Sequence, residues 1–308
     1  MRLRYSFRLV SPLLAATIVA TLTLACTERA PALHAGDAAR GVALMTAFRD
    51  SLPANSGNAL RCVSCHLDNG TRATAMSWLG TAARYPRYRA RPGYEETLAR
   101  RINECIARSL AGKMLPEDGQ EMRDMLAYFE TLRASARPAP VDSVKLIGDV
   151  AHGEVGYAGQ CARCHGANGA GLPALAAPAV WGSESYAIGA GMARQYTLAT
   201  FVRHNMPFDH ADTLTAQEAA DIAAYVLTQP RQDHPGKERD WPKGDPPVDV
   251  AYATAAAAAA AGFLRRTLSC RPRAARTAGA ATNRAMIMAR SNKPKLANKR
   301  LGDVAGEP

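Results

Sequence analysis

The apolar positions of this chain recur at helical spacing, in an order that occurs twice. Val42, Leu44, Met45 and Phe48 make a helical pattern in a segment that follows Asp37 and ends at Pro53. Over residues 95–110, Leu98, Ile102, Ile106 and Leu110 return at four-residue steps. Pro116-Glu117-Asp118 opens a further helix, with Met122, Met125, Leu126 and Phe129 on one face and acids in its first turn. Arg137-Pro138-Ala139-Pro140 interrupts the pattern as a linker. The order then returns. A short helix covers 149–160 and another 197–204, and the capping box Thr215-Ala216-Gln217-Glu218 opens a last helix through Ala224, Tyr225 and Leu227, closed by Pro230. Aromatic residues make up only 6% of the chain, which argues against a large β-sandwich. The pattern predicts an all-α protein of two similar helical domains.

The cysteines give the repeat its chemistry. Cys62-Val63-Ser64-Cys65-His66 and Cys161-Ala162-Arg163-Cys164-His165 are two C-x-x-C-H runs, 99 residues apart. That run is the attachment signal for c-type haem. Two thiols reach the two vinyl groups of one porphyrin, and the adjoining histidine lies under the iron. A thioredoxin-like pair or half of a zinc site competes for one such run alone. Two runs, each followed directly by His, predict two covalently bound haem c groups in tandem cytochrome c domains. The expected boundaries are 37–136 for the first domain, 137–148 for a Pro-containing linker and 149–230 for the second.

The ends of the chain carry its charge. The sequence has 308 residues, 38 Lys+Arg against 27 Asp+Glu, and a formal net charge of +11. Residues 251–308 hold eleven Lys/Arg and two acids, and Arg2, Arg4 and Arg8 hold three more positive charges, so the body is close to neutral. A nucleic-acid-binding core, which needs a concentrated basic face, is therefore not expected. Residues 1–25 read as a signal peptide: the three arginines precede an uncharged apolar stretch, Leu9 to Ala25, too short to span a bilayer. Leu22-Thr23-Leu24-Ala25-Cys26 resembles a permissive lipoprotein box, so lipid anchoring through Cys26 and ordinary cleavage near Ala30 or Ala35 stay open. Either places the body in the periplasm, free or lipid-anchored. Residues 246–308, with an alanine run and scattered Arg and Lys, read as a disordered basic low-complexity tail in which Cys270 has no role.

The sixth iron ligands separate a carrier from an enzyme. In the second domain Met206 follows His165 by 41 residues and precedes Pro207, which makes it the expected distal thioether; His204 and His210 are weaker alternatives. The first domain has no matching Met-Pro. Cys105 lies 39 residues after His66 and Met114 is a second candidate, and spacing alone leaves the two open.

Arg89-Ala90-Arg91, with the run Thr97-Leu98-Ala99-Arg100-Arg101-Ile102-Asn103-Glu104-Cys105-Ile106-Ala107-Arg108-Ser109, resembles the signature of the dihaem thiosulfate dehydrogenases. Trp181-Gly182-Ser183-Glu184-Ser185-Tyr186 and Gly189-Ala190-Gly191-Met192 are similar to the same family, and the resemblance covers about residues 37–230. It implies that two thiosulfates are joined to tetrathionate at the first haem, with Cys105 as its distal ligand and Arg91, Arg101 and Ser109 in the active site. It implies that the second haem, held by His165 and Met206, passes electrons to an external acceptor such as a soluble cytochrome c or a high-potential iron–sulfur protein. Some members carry Lys beside the Met; Asn205 stands there in this chain. Arg100 and Arg108 read as a solvated helix face. Two other readings remain: a non-catalytic dihaem electron carrier, which would use Met114 and have no use for Arg91 or Arg101, and a subunit of a Sox-type thiosulfate-oxidising complex.

Overall fold

The structure, a computed structural model, describes residues 34–259. The expected signal segment, Cys26, Cys270 and most of the basic tail lie outside the described residues. Among the described residues no helix is long and apolar enough to cross a membrane. The chain divides into two compact units, one formed by residues 34–85 with 98–141, the other by 86–97 with 142–259.

In the first unit α1 (Ala38–Thr46) is followed by the single turn α2 (Phe48–Ser51), by α3 (Leu98–Arg108) and by α4 (Gln120–Thr131). Asp37 caps α1 by accepting the N–H groups of Ala39 and Arg40 at 2.8 and 3.0 Å. The apolar face of α1 then packs against α4, burying Leu44, Met45, Phe48, Met122, Met125 and Phe129. The two helices touch backbone to backbone: a Cβ on Gly41 would lie 2.0 Å from Asp124 O. The Asp124 side chain, fully buried, accepts the Asp37 N–H at 2.8 Å and the Gln120 amide at 2.9 Å and pairs with Arg40. Burial works to raise the Asp124 pKa. The Asp37 N–H, the Gln120 amide and Arg40 outweigh it and hold the carboxyl below the usual range. The stability it contributes is therefore complete at neutral pH and is lost as pH falls from the ordinary aspartate value through the depressed one.

The second unit repeats this joint with α5 (Val150–Gly156) and α8 (Ala216–Thr228), and α7 (Gln195–Asn205) also packs on α8. Asp149 caps α5 by accepting the His152 N–H at 2.9 Å and donates its own N–H to Asp221 Oδ1 at 2.7 Å. Gln217 donates to the same oxygen at 2.7 Å, and a Cβ on Gly153 would lie 1.9 Å from Asp221 O. The capping box at Thr215 and Glu218 is formed. Gly41→Ala and Gly153→Ala are each expected to destabilise their unit by about 1–3 kcal/mol, because no side chain can retreat from a backbone carbonyl. Thermal unfolding of the two variants checks this.

Three features depart from the sequence reading. The helix expected from Pro116 begins at Gln120, because the Asn103 side chain takes both the N–H and the C=O of Leu115 at 2.8 Å and ties that stretch to α3. Residues 86–97 belong to the second unit and form a small antiparallel hairpin, β1 (Arg87–Arg89) with β2 (Tyr94–Glu96). Residues 231–254, placed outside the second domain by the sequence reading, are packed: Trp241 and Thr254 are buried and Asp249 pairs with Arg194.

Candidate functional site

The first C-x-x-C-H run opens with a single 3₁₀ turn, Cys62–Ser64, whose start is tied by the Arg61 N–H donating to Ser64 Oγ at 3.1 Å. His66 follows at once, and its Nδ1 lies 2.6 Å from Met76 O. A carbonyl oxygen only accepts, so Nδ1 carries the proton and Nε2 presents its lone pair, which is the tautomer an iron ligand needs. The ring packs on Trp78 with centroids 4.9 Å apart, and Trp78 in turn meets Phe129 of α4. Gly70 admits the indole: it sits at φ +79°, and a Cβ there would overlap the Trp78 ring. Burial pushes His66 down to about 4; the bond to Met76 opposes this and the Arg101 charge adds to it. The imidazole is thus neutral at physiological pH.

Cys105 lies on α3. Burial pushes the Cys62 and Cys65 thiols up to about 12, and the nearby Cys105 sulfur adds to both shifts. The three sulfurs, the His66 imidazole and the Arg101 charge therefore lie in one neighbourhood, near enough for Cys105 to act on both thiols and Arg101 on the imidazole. α3 places them there by its turn: Arg101 and Cys105 are four residues apart on one face, and Ser109 follows the helix end, its N–H donating to Cys105 O at 2.8 Å. Leu98, Ile102 and Ile106 are buried on the core side. The neighbouring cations are engaged elsewhere. Arg100 pairs with Glu117 at 2.9 Å, both exposed, and Arg108 pairs with Glu104. Met114 is 43% exposed, on a loop fixed by Lys113 N–H to Asn55 O and Gly112 N–H to Ile106 O. Arg91 is in the second unit, between β1 and β2, where its Nη1 donates to Gly189 O at 2.8 Å.

The second run is entered through a π-helical turn, Tyr157–Cys161, which widens the helix just before Cys161. The short helix α6 (Ala162–His165) carries Cys164 and His165. His165 Nδ1 lies 2.8 Å from Pro178 O, so its Nε2 is presented in the same way. Burial lowers its pKa, with the Pro178 bond opposing. Burial raises the Cys161 thiol to about 11; Arg163 lowers it and Cys164 raises it. Tyr157, Trp181 and Tyr225 stack around the motif, with Gly169 admitting Trp181 as Gly70 admits Trp78. Met206 caps the end of α7 and is half-buried. Both ring nitrogens of His204 are occupied, by Asp212 at 2.8 Å and Asp142 O at 3.0 Å, and His210 is exposed beside Asp209. Each unit thus offers two thiols and an oriented imidazole against aromatic walls, a donor set that fits haem c.

Residues 148–226 match the family profile described as cytochrome C oxidase, cbb3-type, subunit III, and residues 53–136 match the SoxA/TsdA cytochrome c domain. A protein named thiosulfate dehydrogenase from Psychrobacter arcticus is 40% identical over 223 residues, covering 68% of this chain and 68% of its own length. A second of that name, from Allochromatium vinosum, is 40% identical over 196 residues, 58% of this chain and 73% of its own. The chain belongs to the thiosulfate dehydrogenase family. A solved structure of thiosulfate dehydrogenase (TsdBA) from Marichromatium purpuratum superposes with a TM-score of 0.58 at 30% identity over 68% of this chain, which spans half of that one. As a member of the thiosulfate dehydrogenase family the chain is an oxidoreductase built of two cytochrome c domains that carry covalently bound haem c.

Proposed function

We propose that this protein is a periplasmic thiosulfate dehydrogenase that couples two thiosulfates to tetrathionate at its first haem and exports the electrons through its second. The observation that carries this reading is that the Cys105 sulfur lies near enough to Cys62 and Cys65 to raise both thiols, which supports it as the residue that would complete the first haem's ligand set. Cys62, Cys65 and His66 would hold that haem, with Cys105 as its distal ligand; Cys161, Cys164, His165 and Met206 would hold the other. When bound, the two haems accept and release single electrons, and two of them hold the two electrons that one coupling releases. A thiolate donor lowers an iron's potential and a thioether raises it, so Cys105 and Met206 set the direction of flow from the first site to the second.

The rest is electrostatic. Joining two dianions at about 4 Å costs on the order of 16 kcal/mol at an effective dielectric of 20. Arg101, set toward the first motif, and Arg91 supply charges that cannot be removed by deprotonation and present planar forks to sulfonate-type oxygens. The Ser109 hydroxyl, one helical turn beyond Cys105, offers a hydrogen-bond donor to an anion held by Arg101. The electrons leave to an external one-electron acceptor, a soluble cytochrome c or a high-potential iron–sulfur protein, and Cys26 is the anchor point if the mature chain is lipidated.

Steady-state turnover with an added acceptor tests the reading: it predicts one tetrathionate per two acceptors reduced, and thiosulfate-independent reduction or none would leave a carrier. The relay has its own check. Met206→Gly is expected to lower the second haem's potential by on the order of 100 mV and slow electron export, while thiosulfate still reduces the first haem at its normal rate. Stopped-flow spectra at the two haem bands measure both.

A further inference from the structure

The chain does not leave the second unit after its last long helix. Residues 231–254 run back across it as a strap, attached at several points. The Ile188 N–H donates to Gln232 O at 2.9 Å, and Gly189 lies so close to His234 that a Cβ would meet its ring at 2.6 Å. The Trp241 N–H donates to Arg91 O at 2.8 Å. Asp249 accepts Arg194 Nη2 at 2.7 Å and the Tyr196 N–H at 3.0 Å. The matched cytochrome c profile ends at residue 226, so the strap lies beyond it.

The middle of the strap forms a socket around one side chain. The Arg91 guanidinium lies 4.6 Å from the Trp241 ring centroid. Its Nη1 donates to Gly189 O at 2.8 Å, and its Nε faces Asp240 Oδ2 at 3.8 Å. Asp240 is 3% exposed, and the Tyr252 hydroxyl donates to that same carboxylate oxygen at 2.6 Å. The ring fixes the plane of the guanidinium, the carbonyl fixes one end, and the carboxylate, itself aimed by Tyr252, fixes the other. The hairpin does not need this to close. β1 and β2 already pair, and the Gly93 N–H donates to Arg89 O at 2.9 Å. What the socket adds is order in a long side chain that otherwise samples many rotamers, and an anion gripped by a side chain already in place loses less binding free energy to ordering.

We propose that Asp240, Trp241 and Tyr252, with the Gly189 carbonyl, are positioning residues that hold the Arg91 guanidinium ready for a sulfur oxyanion. This rests on the reading of Arg91 as a substrate ligand given above.

The test uses the full-length dihaem protein and measures KM and kcat for thiosulfate, with both haem potentials recorded for every variant. Trp241→Leu removes the aromatic face and should raise KM about tenfold with kcat and both potentials nearly unchanged. Trp241→Phe keeps a face and should return KM to within about twofold of the native value. Arg91→Gln combined with Trp241→Leu should lose no more than Arg91→Gln alone, because the strap acts through that arginine. If Trp241→Leu does not accumulate, Asp240→Asn takes its place: it keeps an acceptor for Tyr252, removes the charge, and should raise KM only when Arg91 is present. Additive losses in the double variant, a Phe no better than Leu, or shifted haem potentials at unchanged KM would overturn the positioning role. Strap variants that are silent while Arg91→Gln is damaging overturn this inference alone. An Arg91→Gln enzyme with native KM and kcat, or a native protein that oxidises no thiosulfate, overturns the reading of the site and this inference with it.

Discussion

Cys105→Ala is expected to lower thiosulfate turnover by three orders of magnitude or more, on the order of the loss seen when a directly participating group is removed, while both haems stay covalently attached. The attachment chemistry uses Cys62, Cys65, Cys161 and Cys164, none of which the change touches. The fold should hold as well, since the buried residues of α3 are Leu98, Ala99, Ile102, Asn103 and Ile106, and Cys105 is not among them. The low-spin thiolate features of the first haem should vanish from the electron paramagnetic resonance spectrum, while the histidine–methionine signal of the second haem should remain. Cys105→Met gives a sharper form of the same test. A thioether restores a sulfur donor but raises the potential, so the haem should remain low-spin and turnover should still be lost. An unchanged spectrum in Cys105→Ala would make Cys105 a packing residue.

The second large effect is expected at Arg101. Arg101→Gln keeps a hydrogen-bond donor and removes the charge, and turnover should fall by about 10²–10³ if neutralising two dianions near the first haem motif is what the residue does. Arg101→Lys should recover only part of this, because an ammonium lacks the guanidinium fork. Arg100→Gln is the internal control. Arg100 is the adjacent residue, yet its guanidinium is exposed and paired with Glu117, and an exposed pair contributes about 0–1 kcal/mol, so that variant should stay within about twofold of native activity. Steady-state kinetics on the three variants measure the contrast. Equal losses at Arg100 and Arg101 would mean a general field or folding effect.

The haem-bearing half of each unit was legible because the chemistry fixes its spacing: two thiols and a histidine within five residues admit few uses. The helices were legible where an apolar stripe meets a cap, as in α8 with Thr215 and Glu218. Their joints were present in the sequence but carry no hydropathy. Gly36-Asp37 with Gly41 and Gly148-Asp149 with Gly153 are the same pattern, answered by Gln120 with Asp124 and Gln217 with Asp221. Reading that repeat would have paired α1 with α4 and α5 with α8. The hairpin was hidden because Arg-Tyr-Arg and Tyr-Glu-Glu are too short and too polar to alternate. The strap was hidden because it is held by isolated anchors, Trp241, Asp249 and Tyr252, with no period between them. Its discovery changes what surrounds Arg91, which a spacing argument from Cys105 alone assigns to the first domain.

One measurement bears on the central claim most directly: anaerobic titration of the fully oxidised protein with thiosulfate, followed at the haem bands, with tetrathionate quantified at the end point. The account predicts that both haems become reduced and that one tetrathionate forms per protein molecule, the two electrons matching the two haems. Haems that stay oxidised in excess thiosulfate, or become reduced without tetrathionate, would contradict it.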